Sequence, residues 1–598
     1  MTLTMNIYSL LTGNSRSWMS LYLQKNNHAL AISMLERLQA IGNSVSTVIN
    51  KTGATKEPPA LFVTAITQFI EDFLFFFCKE DFVIPPILQA NFVYFNSLLS
   101  NLITISEFRS TDTAIKLLLQ RQFKQASKLC MLLSARNTVQ LDPSSIFDAS
   151  PHLASLWYCN YLSLYQSGLS DKDTFQRLKS LLCFQDPRFI PVSNIAEVYY
   201  GSTYIDPDND RFIKQLINNA CKIFERDTFN EESNSKSIGI IASCLLQGHA
   251  VYRNQKAFIE ALQTIADVTL YALHPGQDSK LCSNIVPMYN SKLNEAINTI
   301  KSKKHRLIYF TEIGMHPSSI FLANLRLAPI QVTTYGHSVS TWGAEIDYFI
   351  VSDDVEDHEE LANNYSESIL SVSGFGVIHE PAPQKIDSCL SSDREQIVIA
   401  CPWSAHKTNY LLISVLERLI HKFQKPIIFR FLTGPLILRD YGLLPFMEIL
   451  HKRLAPAKVE IYTDGDYIAY LQVIADSDFC LDSFHFGGCN SVFDSLVCGR
   501  PIVTRQGSKW YNRIGSAMLQ AIGLSELVAR SENEYEEKAL KLIDDIEWRL
   551  ALTKKIRAID LTLAPFCDRS QASAFRNKIA DLLDINRINL NQSAPCSI

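Results

Sequence analysis

The sequence predicts an α + α/β protein, in which an all-helical N-terminal domain precedes a pair of Rossmann-like lobes. Apolar residues recur at helical spacing through the first part of the chain, and after about residue 235 this pattern changes. From there, short β-branched or aromatic runs alternate with helical segments. That alternation is typical of parallel strands joined by crossover helices. The clearest helical series is Leu30, Met34, Leu38 and Ile41.

The strand-like runs form two groups. The first group is SIGIIASCLL, DVTLYAL, RLIYFT, PIQVTTY and DYFIVSDD, and the second is QIVIACP, PIIFRFL, KVEIYT, DFCLD and RPIVT. Residues 354–395 between them are rich in Pro, Ser and acidic residues and predict a linker. We therefore place the helical domain at 1–230, the first lobe at 235–385 and the second lobe at 390–585. In such sheets, ligands bind beyond the carboxyl ends of the strands.

Composition narrows the functional classes. The 598 residues are 47% hydrophobic and 20% charged, which excludes a mainly disordered chain, and the net charge of −5 argues against a nucleic-acid coat. The 14 cysteines include no C-x-x-C pair, so we expect no zinc knuckle. We also expect no disulfides, because the cysteines are best explained as free thiols in a reducing compartment. The N-terminus lacks a signal-peptide pattern, and Glu71 and Asp72 interrupt the most apolar stretch. We therefore expect a cytoplasmic protein without a membrane span.

A glycine-containing loop in residues 478–504 is the strongest functional signal. Gly487 and Gly488 follow a strand, a helix is predicted to begin at about Asn490 as its N-cap, and Gly499 is placed to end it. Free N–H groups and the helix dipole make such an N-terminus a ready anion site.

Asp494 lies one turn into this helix and could accept hydrogen bonds from a ribose. The alternative is an ordinary strand-to-helix turn with a solvated Asp, because neither a Walker lysine nor a full dinucleotide fingerprint is present. In IVIACPWSAHKTNYLLISVLERL, Lys407 near a helix start could neutralise an anionic leaving group, with His406 as a neutral hydrogen-bond partner. A solvated lysine is equally compatible with that pattern.

Two histidines follow strands of the first group. His337 comes after PIQVTTY, and His249 lies in CLLQGHAVYR, which also contains Arg253. Imidazole titrates near neutral pH, so His337 could act as a general base or as a phosphate-side hydrogen-bond donor. A hydrogen-bonded structural histidine is the alternative at both positions.

Three strings carry a family resemblance: LRLAPIQVTTYGH, DSFHFGGCNSVFDSLVCGRPIVT and NRIGSAMLQAIGLSELVA. Together they resemble glycosyltransferase family 41 over roughly residues 235–560. That family contains protein O-GlcNAc transferases and bacterial adhesin N-glucosyltransferases. The GHAVYR string, and an N-terminal region without recognisable tetratricopeptide repeats, favour the adhesin branch.

The resemblance implies a GT-B fold, a UDP-sugar donor, inversion at the anomeric carbon, and no metal or other cofactor. Lys407 matches the lysine that contacts the diphosphate. The implied catalytic residues are His337, His249 and Lys407, and the implied donor-binding residues are Lys407, His406, Gly487, Gly488, Asn490, Ser491 and Asp494.

Four positions bear on the choice of branch. Trp342 replaces a second histidine of the adhesin motif, and Tyr470 or Ile468 replaces another. Cys489 stands where the O-GlcNAc branch has histidine, whereas Arg513 matches that branch better.

We therefore predict transfer of a hexose, with glucose favoured, from UDP to asparagine of an adhesin-like polypeptide. The alternatives are GlcNAc transfer to Ser or Thr, and a catalytically degenerate subunit that supports a partner glycosyltransferase. The sequence leaves the oligomeric state open.

Overall fold

The computed structural model describes most of the chain and divides it into two compact units. The first unit comprises Met1–Ile213, Ile386–Phe484 and Glu536–Arg549, and the second comprises Lys214–Lys385, His485–Tyr535 and Leu550–Ile598. The described residues are 2–44, 54–120, 126–164, 168–222, 233–276, 280–380, 386, 396–423, 425–463 and 465–584.

Helices make up the regular structure described before residue 223. Leu30, Met34, Leu38 and Ile41 are all buried on one helix, as predicted from their spacing. The helices are Thr2–Leu11, Asn14–Leu23, Asn27–Asn43, Ala60–Phe77, Pro86–Tyr94, Asn96–Ile105, Asp112–Gln120, Ala126–Leu132, Pro143–Ala149, Pro151–Tyr161, Lys172–Leu182, Ile195–Ile205 and Asp210–Lys222.

The helix Ala60–Phe77 forms from the most apolar stretch of the sequence. Among the described residues it is the one helix long and apolar enough to cross a membrane, and half of it is buried within the protein. Its core-facing side is mainly aromatic, and Phe69, Phe73 and Phe77 are completely buried. This packing is what we predicted for an amphipathic core helix.

A seven-stranded parallel sheet forms the core of the second unit. Its strands are β1 (Asn234–Ala242), β2 (Asp267–Ala272), β3 (Ile285–Pro287), β4 (His305–Phe310), β5 (Ile330–Thr333), β6 (Tyr348–Ser352) and β7 (Ser368–Val372). The order is β3-β2-β1-β4-β5-β6-β7, so the strand order reverses between β1 and β4. Ligands in doubly wound sheets bind at such a switch point. The helices between these strands are Ala250–Leu262, Leu293–Ser302, Pro317–Ala323 and Leu361–Asn364.

A second parallel sheet contains β8 (Ile397–Cys401), β9 (Ile427–Leu432), β10 (Lys458–Tyr462), β11 (Phe479–Leu481), β12 (Ile502–Arg505) and β13 (Val528–Ala529). Within the first unit the order is β10-β9-β8-β11, and within the second unit β12 pairs with β13. The accompanying helices are Tyr410–Lys422, Leu443–Arg453, Tyr467–Ala475, Asn490–Val497, Trp510–Ala521, Glu532–Asp544, Ile546–Ala558 and Ser570–Asp584.

The predicted fold class, a helical region followed by two Rossmann-like parallel sheets, is confirmed. The linker prediction for residues 354–395 is wrong in its first half. β7 completes the first sheet there, pairing with β6 from Ser368 to Val372. The strand has the sequence SILSV and lies at the sheet edge, where three of its five residues are only partly buried.

Candidate functional site

The glycine loop, residues 485–489 of the second unit, leads into the helix Asn490–Val497. The helix begins at Asn490, as predicted, but its N-cap is Cys489 and not Asn490, and the Cys489 side chain makes no capping hydrogen bond. The Oδ1 atom of Asn490 is buried without a hydrogen-bond partner among the described residues. The end of the helix is as predicted, because Gly499 follows the C-cap with φ +64°.

Asp494 is not the solvated residue that the sequence left as an alternative. Its carboxylate is almost completely buried and accepts two hydrogen bonds from the Arg253 guanidinium, at 2.8 and 3.2 Å. Arg253 lies in the helix that follows β1, so the GHAVYR string and the glycine loop supply the two halves of one ion pair.

Cys489 lies beside a buried histidine that sequence reasoning missed. Its Sγ is 3.6 Å from Nε2 of His379, and the His379 ring stacks on Phe493 of the same helix at a centroid distance of 4.4 Å. Burial, with a further contribution from Arg253, lowers the pKa of His379 to about 3. His379 is therefore a neutral packing partner of the helix.

His337 lies just beyond β5, in the short 3-10 turn Tyr335–His337. Its Nδ1 is 2.9 Å from the carbonyl oxygen of Ile313. A carbonyl only accepts, so Nδ1 carries a proton, and Nε2 is the basic nitrogen of the neutral ring. Gly336 is required for this geometry, since a Cβ there would lie 1.7 Å from the carbonyl oxygen of Thr311.

His249 has the opposite tautomer. It is the N-cap of the helix Ala250–Leu262, and its Nδ1 accepts a hydrogen bond from the Val251 N–H at 3.2 Å. Burial lowers its pKa, so the ring is neutral at pH 7 and carries its proton on Nε2. In this structure His249 is thus a hydrogen-bond donor, whereas His337 presents the basic nitrogen.

Glu312 lies at the switch point between β1 and β4 and was not predicted. It is completely buried and accepts hydrogen bonds from the N–H and hydroxyl of Ser243, at 2.7 and 2.5 Å, and from the hydroxyl of Thr311. Burial raises the pKa of Glu312, and these hydrogen bonds oppose that shift. An acidic residue directly after the buried run RLIYFT is the signal that could have identified it.

The Lys407 loop, residues 402–409 of the first unit, follows β8. Lys407 ends the 3-10 turn Ala405–Lys407, and the helix Tyr410–Lys422 begins three residues later. Asn409 caps this helix, because its Oδ1 accepts from the N–H groups of Leu411 and Leu412 at 3.1 Å each.

His406 packs against the helical region. Its Nε2 is 3.3 Å from the hydroxyl of Tyr200, and its ring meets Tyr204 edge to face at 4.3 Å. Burial, with the nearby Lys407 charge, lowers the pKa of His406 to about 3. The ring is therefore neutral, and its hydrogen-bond partner is Tyr200.

The predicted site residues fall into both units. His249, His337, Gly487, Gly488, Asn490, Ser491 and Asp494 lie in the second unit, and His406 and Lys407 lie in the first. Within the second unit the structure joins the glycine-loop helix to the GHAVYR helix through Asp494 and Arg253. Across the described ranges, no three His, Cys, Asp or Glu side chains form a group that could hold a metal ion.

The two departures from the adhesin motif that lie in the second unit are well anchored. Trp342 has φ +52°, and Asn218 donates to its carbonyl oxygen and to that of Thr341. Arg513 forms an ion pair with Asp357 at 3.0 Å.

Comparison with known proteins gives consistent matches. The family model described as Glycosyl transferase family 41 matches residues 472–573. A UDP-glucose:protein N-beta-glucosyltransferase of Actinobacillus pleuropneumoniae is 28% identical over 72% of this chain and 72% of its own length. A probable UDP-N-acetylglucosamine–peptide N-acetylglucosaminyltransferase SPINDLY of Oryza sativa is 27% identical over 46% of this chain and 30% of its own length.

Among solved structures, a mutant of the Thermobaculum terrenum O-GlcNAc transferase superimposes with a TM-score of 0.57 at 17% identity. The match covers 86% of this chain and all of that one, and it supports the GT-B fold predicted for the two sheets. The resemblance to glycosyltransferase family 41 is thus confirmed, and it identifies the chain as a glycosyltransferase.

Proposed function

We propose that this enzyme inverts the anomeric carbon while transferring a hexose, with glucose favoured, from UDP to asparagine side chains of an adhesin-like polypeptide. The relatives named above act on proteins, which supports a protein acceptor. The match to a UDP-glucose:protein N-beta-glucosyltransferase supports glucose as the sugar and a protein nitrogen as the acceptor atom. We place the reaction in the cytoplasm and expect it to need no metal or other cofactor.

The observation that carries the proposal is the helix Asn490–Val497, which follows two glycines and has no side-chain cap. Glycosyl transfer leaves negative charge on the departing UDP, and helix N–H groups stabilise such an anion without reorganisation. The Asp494 carboxylate, held in place by Arg253, is suited to accept from the ribose hydroxyls. Lys407 supplies a positive charge for the diphosphate.

The acceptor must lose a proton as the new bond forms. His337 is the residue we assign as base, because its Nδ1–H bond to Ile313 leaves Nε2 as the basic nitrogen. His249, protonated on Nε2 in its neutral form, is assigned as a donor to the sugar or the acceptor amide.

A transfer assay read by peptide mass spectrometry tests the proposal. The protein is offered UDP-glucose, UDP-galactose and UDP-GlcNAc with an Asn-X-Ser/Thr peptide, and separately with a Ser/Thr-rich peptide lacking that motif. Hexose on asparagine, unchanged by EDTA, would establish the function. Lys407→Ala should lower turnover about 10²- to 10³-fold, as expected for loss of one charge-stabilising group. The exposed Lys425 of the same unit provides the control Lys425→Ala.

One alternative keeps the fold but changes the product. The SPINDLY match supports GlcNAc as the sugar and a peptide as the acceptor. GlcNAc on Ser or Thr of the second peptide would replace our proposal. Binding of UDP without any transfer would instead indicate a supporting subunit.

A further inference from the structure

The Lys407 loop is anchored by the helical region within the first unit. The hydroxyl of Ser170 donates to the carbonyl oxygen of Thr408 at 3.3 Å, and Phe175 packs edge to face on Tyr410 at 5.1 Å. His406 contacts Tyr200 and Tyr204. The helical region therefore contacts three residues of the segment that surrounds Lys407.

The two tyrosines fix how His406 is bonded. The hydroxyl of Tyr204 donates to that of Tyr200 at 2.7 Å, and the Tyr200 hydroxyl lies 3.3 Å from Nε2 of His406. The other ring nitrogen, Nδ1, is buried without a hydrogen-bond partner among the described residues. One nitrogen is thus engaged by the helical region and the other is shielded from solvent.

We propose that His406 is a positioning residue, which fixes the backbone of the Lys407 loop against the helix Ile195–Ile205 and so holds Lys407 in place for the diphosphate. This inference rests on the proposed function, in which Lys407 contacts the diphosphate. It gives the helical region a role in donor binding, in addition to any contact with the acceptor. Because small displacements of a catalytic group can cost about 10²-fold in rate, the anchoring matters for turnover.

The matched variants separate the ring from its hydrogen bond. His406→Ala removes both, His406→Phe keeps the ring packing, and Tyr200→Phe removes only the hydroxyl. Tyr22→Phe is the control, because Tyr22 lies in the helical region and its hydroxyl bonds Asp81. We expect kcat/KM for the UDP-sugar to fall at least tenfold in His406→Ala and about threefold in the two Phe variants. The double variant, His406→Phe with Tyr200→Phe, should lose no more of its kcat/KM than either single variant.

Calorimetry with UDP and with uridine provides the decisive readout. If His406 acts through Lys407, His406→Ala weakens UDP binding severalfold and leaves uridine binding unchanged, since uridine has no phosphate. Equal losses for both ligands would mean a general structural defect and would overturn the inference. The inference would also be overturned if His406→Ala kept UDP binding and turnover within twofold of wild type while Lys407→Ala was inactive. That outcome would leave the proposed function intact. Unchanged turnover in Lys407→Ala would instead break the leaving-group assignment itself.

Discussion

The glycine loop and the Lys407 loop both connect a strand to a helix, but they differ in whether the N-cap residue makes a side-chain hydrogen bond to the start of that helix. The helix Tyr410–Lys422 is capped by Asn409, which satisfies two of its N–H groups. The helix Asn490–Val497 has Cys489 as its N-cap and no side-chain capping bond. The same sequence pattern thus gives one closed and one open N-terminus.

Under the proposed function, this difference gives the two loops different parts of the chemistry. An open N-terminus can bind an anion through its own N–H groups, whereas a capped one has already used its first donors. At the Lys407 loop, positive charge must therefore come from the lysine side chain. At the glycine loop the backbone supplies the donors, and the charged pair Arg253–Asp494 lies one turn further in.

The largest effect should come from the ion pair behind the glycine loop. Arg253→Ala leaves the buried Asp494 carboxylate without its bidentate partner, so we expect the free energy of unfolding to fall by about 3 kcal/mol. Arg253→Lys should lose less, because one ammonium replaces two parallel N–H donors. Urea unfolding of both variants measures this.

The matching double variant tests whether the loss comes from the pair. Arg253→Ala with Asp494→Ala should recover part of the lost stability, since no unpaired charge remains. A loss below about 0.5 kcal/mol in Arg253→Ala would show that Asp494 is well solvated without arginine and that the pair does not organise this helix.

The helix that supports the Lys407 loop should make the stability of the protein depend on pH. Glu197 lies in the same helix as Tyr200 and Tyr204, and burial raises its pKa to about 7. Arg439 and the hydroxyl of Ser163 lower that pKa, and Asp440 raises it. The folded state therefore binds a proton that the unfolded chain has lost above about pH 4.5, so Glu197 should cost stability increasingly as pH rises from 4.5 to 7.

Comparison with Glu197→Gln isolates this contribution. We expect the wild type to lose up to about 3 kcal/mol relative to the variant between pH 5 and pH 8, measured by urea midpoints. Glu536→Gln is a control of opposite sign: burial would raise the Glu536 pKa, but hydrogen bonds from Lys422 and Arg418 outweigh it and lower the pKa. A parallel pH profile for wild type and Glu197→Gln would contradict the prediction.

Capping the open helix should separate stability from donor binding. Cys489→Asp places a carboxylate where it can accept from the first N–H groups, which should raise stability by about 1 kcal/mol. The same carboxylate repels a diphosphate, so UDP should bind at least tenfold more weakly. Cys489→Ser caps without charge and should weaken UDP binding less. Unchanged UDP affinity in Cys489→Asp would show that this N-terminus is not the anion site.

The sequence predicted what depends on local pattern. The runs of both groups form strands, and Gly499 ends its helix as expected. A buried strand is visible in the sequence as an apolar run, and a left-handed backbone position is visible as a glycine. β3 and β13 were missed, since two- or three-residue strands are too short to show a period.

What depended on distant residues could not be predicted. The partner of Asp494 lies 241 positions away and that of His406 lies 206 positions away, so neither contact is visible in spacing. The choice of Cys489 as N-cap goes against residue preference, which favours Asn490.

The smallest expected effect concerns the cap of the closed helix, and it is specific to the Lys407 loop. Asn409→Ala removes a cap worth about 1 kcal/mol, and Asp466→Ala removes a comparable cap from the helix Tyr467–Ala475 in the same unit. Asn409 also donates through Nδ2 to the carbonyl oxygens of Phe484 at 2.7 Å and Lys407 at 3.3 Å. Both variants should therefore lose similar stability, while Asn409→Ala alone should raise the KM for the UDP-sugar.

A third variant assigns the effect to one atom. Asn409→Asp keeps the capping oxygen and loses the two donated bonds, so stability should return towards wild type while the KM stays raised. If Asn409→Asp restored both, the cap alone would hold the loop, and the closed N-terminus would contribute to donor binding only through the stability of its helix.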